Sequence, residues 1–313
     1  MPELPEVHTT VTGLQKVLHG LTITDTWTDL ATGDHKTPHL STSHKDKKFF
    51  AYFKKEIVGA KVISVKRRAK NILINLKTKS GNEKTILIHM KMTGHMMIGT
   101  YELVGNAWMP AKTEKNEALR DPYNRFIHVV FSLSNGKHLV LSDVRRFAKV
   151  TLVSTADLEK SIHLKQLGPE PLEKSFTEKM FTERLLKKPK GKSKLVLLDQ
   201  SIIAGIGNIY SDEMLWLASI HPMSIIEKIP KKLFSPLYKG MISVLKKGID
   251  FGGDSTSDYR DITGKRGAFQ HAHNVYRREG KPCPKRGCKG VIERLPFGGR
   301  SAHFCPVHQK LYK

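Results

Sequence analysis

The spacing of apolar residues changes twice along this 313-residue chain, and those changes bound what it can fold into. Val7, Val11, Leu14 and Leu18 recur at intervals of four, three and four, one face of a helix that starts in MPELPE and ends at Gly20. Pro5 falls in its first turn, where a missing N–H costs nothing. From about residue 21 to 154 the period is two. VISVKRRAKNILINLK, KTILIHMKMTGHMMIG, FIHVVFSL and HLVLSDVRRFAKVTLVS read as strands, with Ser134-Asn135-Gly136-Lys137 as a hairpin turn. Beyond LGPEPL, at 167–172, the patterns are helical again, in SFTEKMFTERLLKK, SKLVLLDQSIIAGIGNIYSDEMLWLASIHP and PKKLFSPLYKGMISVLKKGID. The reading is α+β: an all-β layer behind one leading helix, then a helical domain, then a short tail. The expected boundaries are 1–155 for the sheet domain, 156–172 for a linker, 173–274 for the helical domain and 275–313 for the tail. Within the helical domain, 251–274 is rich in Gly, Asp and Ser and reads as a mobile loop; 31–48 and 105–124 read as polar surface insertions without legible chemistry.

Lysine and arginine number 53 against 29 aspartates and glutamates, a formal charge of +24. Such a surplus raises a field that attracts polyanions, nucleic acid first, although a solvated basic surface has the same composition. There is no run of apolar residues long enough to span a bilayer, and residues 1–20 lack the basic start and apolar stretch of a signal peptide. A cytoplasmic protein with no membrane partner is expected.

The three cysteines, Cys283, Cys288 and Cys305, all lie in the tail, and with His308 they read C-x4-C-x16-C-x2-H. Two close pairs separated by a hairpin's length of chain suit one tetrahedral, structural zinc ion with no activated water. His303 is a rival fourth ligand, but it lies two residues from Cys305 along an expected strand.

Three further stretches carry possible chemistry. Ala204-Gly205-Ile206-Gly207-Asn208 is a glycine-rich turn between helical segments, suited to a phosphate or merely to turning the chain. RRAK at 67–70 and DVRRFA at 143–148 place basic clusters on strands. Arg145, Phe147 and Met92 offer a charge and two apolar wedges for an opened base stack, with core packing the commoner reading of the two apolar residues. Finally, removal of Met1 would expose Pro2 as an α-amine, whose pKa near 8 leaves on the order of a tenth unprotonated at neutral pH. Beside the positive end of a helix dipole, such an amine can attack a sugar C1′ and form an imine, with Glu3 as general acid. A capped helix start is the plain alternative.

Together PELPEV, RRAK, MTG, DVRRF, LGPEPL, LLDQSIIAGIGNIYSDE, GGDSTSDYR, VYRREGKPC and GRSAHFC resemble, in order, the formamidopyrimidine-DNA glycosylase (Fpg) and endonuclease VIII family. The resemblance implies an N-terminal β-sandwich with a leading helix, a helix-two-turn-helix domain and a zinc-finger β-hairpin. It implies a monomeric, nucleoid-associated bacterial repair enzyme acting on damaged double-stranded DNA as glycosylase and AP lyase. By the same resemblance Pro2 is the Schiff-base nucleophile, Glu3 the acid that opens the sugar, Lys70 the donor for β-elimination, Arg300 the donor for δ-elimination and Glu6 a support. Met92, Arg145 and Phe147 match the triad that fills the gap left by the flipped nucleotide, and His128, Lys194, Asn208 and Arg300 match phosphate contacts. PELPE, the intact RRF and the loop at 251–274 favour the purine-acting branch over a pyrimidine-acting or a non-catalytic relative. The chain departs from the family in His8, where glutamate is usual, in the four-residue spacing of the first cysteine pair, in His308 for the last cysteine, and in the insertion 105–124.

Overall fold

The computed structural model describes residues 2–37 and 41–313. Met1, whose removal the sequence reading requires, lies outside the described residues, as does part of the insertion 31–48. The chain divides into two compact units, Met1–Lys165 with Gly252–Ala268, and Gln166–Phe251 with Phe269–Lys313.

The first unit begins with α1 (Leu4–Leu18), followed by β1 (Ile23–Thr28), α2 (Lys47–Ile57), β2 (Lys61–Arg68), β3 (Asn71–Lys77), β4 (Glu83–His89) and β5 (His95–Gly99). It continues through β6 (Tyr101–Val104), β7 (Ala107–Pro110), β8 (Ile127–Leu133), β9 (His138–Ser142) and β10 (Lys149–Ser154). Two four-stranded sheets, ordered β1-β8-β9-β5 and β10-β4-β3-β2, carry the expected sandwich. Val129, Phe131, Leu139 and Leu141 from one sheet share a core with Ile72, Ile74, Ile86 and Ile88 from the other and with Val7, Leu14 and Leu18 of α1. Gly136 turns the expected hairpin between β8 and β9 at φ +79°.

Two elements depart from the sequence reading. Helix α2 falls where a period of two was expected to continue; Asp46 caps it by accepting the Phe49 N–H at 2.8 Å, and Phe53 and Ile57, one turn apart, reach the core. The insertion 105–124 is also more than surface. The alternate residues Val130, Val140 and Met97 point out of the opposite face of the first sheet, where Leu119 and Trp108 of the insertion cover them. Strand β8 is therefore apolar on both faces, which explains its nearly continuous hydrophobic run.

The loop 252–268 belongs with this first unit and not with the helical domain to which its sequence neighbours assign it. Ile262 inserts into the sandwich core, its carbonyl accepts the Ile98 N–H at 2.8 Å, and Asp254 N–H donates to Glu6 Oε1 at 2.7 Å. Burial of one isoleucine and these bonds hold in place a stretch whose composition reads as mobile.

The second unit contains α3 (Glu178–Leu186), α4 (Ser193–Leu198), α5 (Asn208–Leu217) and α6 (Phe234–Asp250), then a hairpin of β11 (Glu293–Phe297) and β12 (Arg300–Phe304). Helix α5 is buried along nearly its whole length. LGPEPL is packed, not free: Gly168 N–H donates to Gln200 O at 2.8 Å and Pro169 O accepts the Ala204 N–H at 3.0 Å. Among the described residues no helix is long and apolar enough to cross a membrane.

Two buried histidines make the first unit acid-sensitive. Burial, with the Lys45 charge adding, pushes His44 down to about 3; burial pushes His95 down to about 4 despite its bond to Asn124. Both sit below the ordinary value near 6.5, so the unfolded chain binds the extra protons as pH falls, and the stability these rings contribute above that value is lost on acidification. Each should cost about 1.4 kcal/mol per pH unit between roughly pH 6 and 4.5. Urea midpoints measured across that window check this; a flat profile above pH 4.5 contradicts it.

Candidate active site

The chain start is a structured site. Glu3, the N-cap of α1, donates its N–H to Glu6 Oε2 at 2.7 Å in a capping-box arrangement. Pro2, Glu3 and Glu6 are all buried. The other Glu6 oxygen takes the Asp254 N–H, so one carboxylate ties the first residues to the loop 252–268, and Tyr259 reinforces it by donating its hydroxyl to the Glu6 carbonyl at 3.1 Å.

Among the described residues, three of the five non-glycine residues at positive φ adjoin residues singled out by sequence: Ala69 (φ 53°) before Lys70, Lys91 (φ 57°) before Met92, and Arg146 (φ 56°) between Arg145 and Phe147. Left-handed backbone at non-glycine residues costs on the order of 1 kcal/mol or more and persists where surroundings over-determine it. Asp143 does this for two of the turns. Its carboxylate accepts from the Thr93 hydroxyl, from Arg145 N–H at 3.3 Å and from Ala148 N–H at 2.7 Å. The Arg145 N–H also reaches Thr93 Oγ1 at 3.2 Å. Gly94 completes the turn, since a Cβ there would lie 2.5 Å from Met90 O.

The MTG and DVRRF segments are thereby joined. Met92 and Phe147 are exposed, 38% and 49%, and the Arg145 guanidinium lies 4.6 Å from the Phe147 ring centroid. Core packing, the commoner expectation for both apolar residues, does not hold. The sequence signal missed was Thr93 and Asp143, which shape these turns without themselves being exposed.

Lys70 is buried in the turn between β2 and β3, where Arg67 Nη1 donates to Ala69 O at 3.0 Å. The register places His89 beside Asn71 on one side and Lys149 on the other. Burial first, then the Lys91 and Lys70 charges, push the His89 ring down to about 3, and its Nδ1 accepts the Lys91 N–H at 3.0 Å. The neutral ring therefore carries its proton on Nε2. His89 was not singled out from sequence, because a histidine ending an apolar strand carries no motif of its own. His128 is buried with Nδ1 2.9 Å from Asp29 Oδ2.

In the second unit the expected phosphate contacts part company. Arg300 is exposed at the start of β12, and Asn208 begins α5 with its side-chain oxygen buried and without a hydrogen-bond partner among the described residues. Gln200 shapes the glycine-rich turn before it, donating to Leu198 O and Ile206 O and accepting the Gly205 N–H. Lys194 is wholly buried. Its ammonium pairs with Asp212 and donates to Ser301 O at 3.0 Å, and Asp212 also accepts the His303 N–H. Lys194, expected at a phosphate, thus links α4, α5 and β12 through a buried ion pair, and losing it would leave Asp212 unpaired inside the protein.

The three cysteine sulfurs lie within 4.8 Å of one another. Each receives an N–H: Trp216 Nε1 donates to Cys283 at 3.4 Å, Gly290 N to Cys288 at 3.3 Å and His308 N to Cys305 at 3.3 Å. Burial raises the Cys283 thiol, but the Lys285 and Trp216 N–H donors outweigh it and bring it below its usual range. His308 is outside the thiol group; its Nε2 lies 2.8 Å from Trp216 O. His303 Nδ1 faces Asp212 at 3.2 Å. The donor set suits a metal ion held by soft ligands.

Residues 1–150 match the formamidopyrimidine-DNA glycosylase N-terminal domain and residues 167–260 the formamidopyrimidine-DNA glycosylase H2TH domain. A formamidopyrimidine-DNA glycosylase of Pelotomaculum thermopropionicum is 37% identical over 99% of this chain and 100% of its own. The chain belongs to the formamidopyrimidine-DNA glycosylase family. A second family member, from Desulforamulus reducens, is 36% identical over 99% of both chains. The Lactococcus lactis Fpg bound to DNA containing an abasic site superposes with a TM-score of 0.80 at 30% identity, covering 98% of this chain and 99% of that one. A MutM complex with DNA containing carbocyclic 8-oxo-G gives 0.77 at 30% identity, covering 99% and 100%.

The buried Lys194 pair yields a stability test in this glycosylase. Lys194→Met should destabilise the protein by about 3–5 kcal/mol, the usual result of stranding one buried partner. Arg300→Ala should change stability by less than about 0.5 kcal/mol, as for an ordinary surface position. Urea unfolding of both variants is the check.

Proposed function

We propose that this chain excises oxidised purines, 8-oxoguanine and formamidopyrimidines, from duplex DNA and then cleaves the strand at the resulting site. It is a base-excision DNA glycosylase and AP lyase, and the assignment of roles to its residues is our reading. The observation that carries it is the buried Pro2–Glu3 start of α1, oriented by Glu6. With Met1 removed, the secondary amine of Pro2 attacks C1′ while the base departs with the bonding pair. Glu3 donates a proton to the ring oxygen, which opens the sugar and leaves an imine. The helix dipole and the net positive field favour the unprotonated amine.

The imine acidifies the C2′ hydrogen. Its loss expels the 3′ phosphate in a step assigned to Lys70, and a second elimination, assigned to Arg300, expels the 5′ phosphate. Arg145, stacked on Phe147, and Met92 project from one pair of joined turns into the space that a flipped nucleotide leaves. Asn208, Arg300 and His128 are assigned to backbone phosphates. We add His89, whose Nε2–H is a neutral donor suited to a phosphate oxygen near Lys70. The loop 252–268, fastened to Glu6, is the segment that meets the extruded base.

We assign one structural zinc ion to Cys283, Cys288, Cys305 and His308. Donation from His308 Nε2 to the Trp216 carbonyl leaves Nδ1 as the ring's lone-pair donor, the arrangement usual for a metal-binding histidine. His303, committed to Asp212, is not assigned. The ion would supply rigidity to the hairpin that carries Arg300.

Borohydride added during reaction with an 8-oxoguanine duplex should trap a covalent complex with processed protein, and Pro2→Gly or a retained N-terminal extension should abolish it. Full trapping by an extended protein overturns the nucleophile, and preferential excision of thymine glycol would move the substrate to pyrimidines.

Metal analysis should return about one zinc per chain. Cys288→Ser should lose it together with DNA binding. A metal-free protein that binds DNA normally contradicts the assignment.

A further inference from the structure

We propose that the insertion 105–124 is a clamp that holds the loop 252–268 in its docked conformation through Asp121 and Arg260, and that base excision depends on this clamp. Arg260 belongs to the loop and is 1% exposed, so its charge needs a partner inside the protein. Asp121 supplies it from the insertion: Nε lies 3.3 Å from Oδ2, and Nη2 lies 3.3 Å from Oδ1 and 3.2 Å from Oδ2. The remaining amino group, Nη1, donates to the loop's own Ser257 and Tyr259 carbonyls at 3.0 and 2.9 Å. The guanidinium therefore folds the loop on itself and fastens it to the insertion at once. Tyr123, two residues past Asp121, lays its ring 4.8 Å from the guanidinium carbon.

The backbones also meet. Asn116 Nδ2 donates to Thr263 O at 2.8 Å and Asn124 Nδ2 to Gly264 O at 3.3 Å. Gly264 has φ +82°, and a Cβ there would lie 2.7 Å from Ala118 O, so no larger residue allows this approach. Asn124 is positioned in turn by His95 Nε2 at 2.9 Å from its Oδ1. Earlier in the same loop, Asp254 N–H is bonded to Glu6, the carboxylate that accepts the Glu3 N–H at the start of α1.

Asp121 and Arg260 are thus positioning residues, acting through the loop. The catalytic consequence rests on the glycosylase reading above; the clamp itself does not. Removal of the Asp121 charge strands a buried guanidinium and should release the loop, while α1 and the turns at 69, 91 and 146 stay in place. Excision of a base needs the loop, whereas cleavage at an abasic site has no base for it to meet.

The test is Asp121→Asn with Asp121→Glu as the conservative variant, read by amide hydrogen exchange and by single-turnover kinetics on two duplexes, one with 8-oxoguanine and one with a preformed abasic site. In Asp121→Asn, amides of 254–264 should exchange at least about tenfold faster. Excision of 8-oxoguanine should slow by about tenfold or more while abasic-site cleavage stays within about twofold, and Asp121→Glu should restore most of both readouts. Unchanged exchange overturns the clamp, and an equal loss in both reactions overturns its selective role. Should the wild-type protein leave 8-oxoguanine in place, the substrate reading falls while the exchange result still decides the clamp.

Discussion

The Glu6 carboxylate is the interaction on which the first unit turns. It is 1% exposed, and a carboxylate so placed is tolerable only when hydrogen bonds replace its water. Two backbone N–H groups from distant parts of the chain do so, Glu3 from the helix start and Asp254 from the loop 248 residues away. A side chain usually regarded as a helix cap thereby becomes a joint. It sets the direction of the chain's first residues and the seat of the loop with the same two oxygens, so a change at either end is felt at the other.

The first unit also holds local backbone strain and supports it with side-chain hydrogen bonds. Ala69, Lys91 and Arg146 each hold a left-handed backbone conformation beside a residue assigned to DNA chemistry. The support comes from buried Asp143, which gathers three donors, and from half-buried Arg67, which bonds the Ala69 carbonyl. This division places exposed Arg145, Met92 and Phe147 on turns with few alternatives, so little ordering remains for binding to impose. The second unit uses a buried pair, Lys194–Asp212, for the same purpose, joining two helices to the hairpin strand that begins with Arg300.

Charge explains why such a scaffold suits a polyanion. A surplus of 24 positive charges would repel itself in any compact chain. Within the first unit, burial beside other cations lowers His89, His163 and Lys149, the last to about 8. In each case burial is the larger cause and neighbouring lysines add to it.

The apolar period determined the order of the sheet and helical parts, because a helix and a strand bury different spacings, and the cysteines marked the tail. Contiguous signals such as PELPE, RRAK, DVRRF and the cysteine spacing determined the candidate site, since each carries its chemistry within a few residues. Helix α2 was hidden because its few core residues lie in a basic, polar stretch. What only the tertiary structure decided were relations between residues remote in sequence: Lys194 as a buried strut, His89 beside Lys70, and the insertion 105–124 bound to the loop 252–268. The physical reason is that burial and charge pairing depend on which surfaces meet. Arg260 and Asp121 read as two solvated charges until the fold brings them together and removes the water between them.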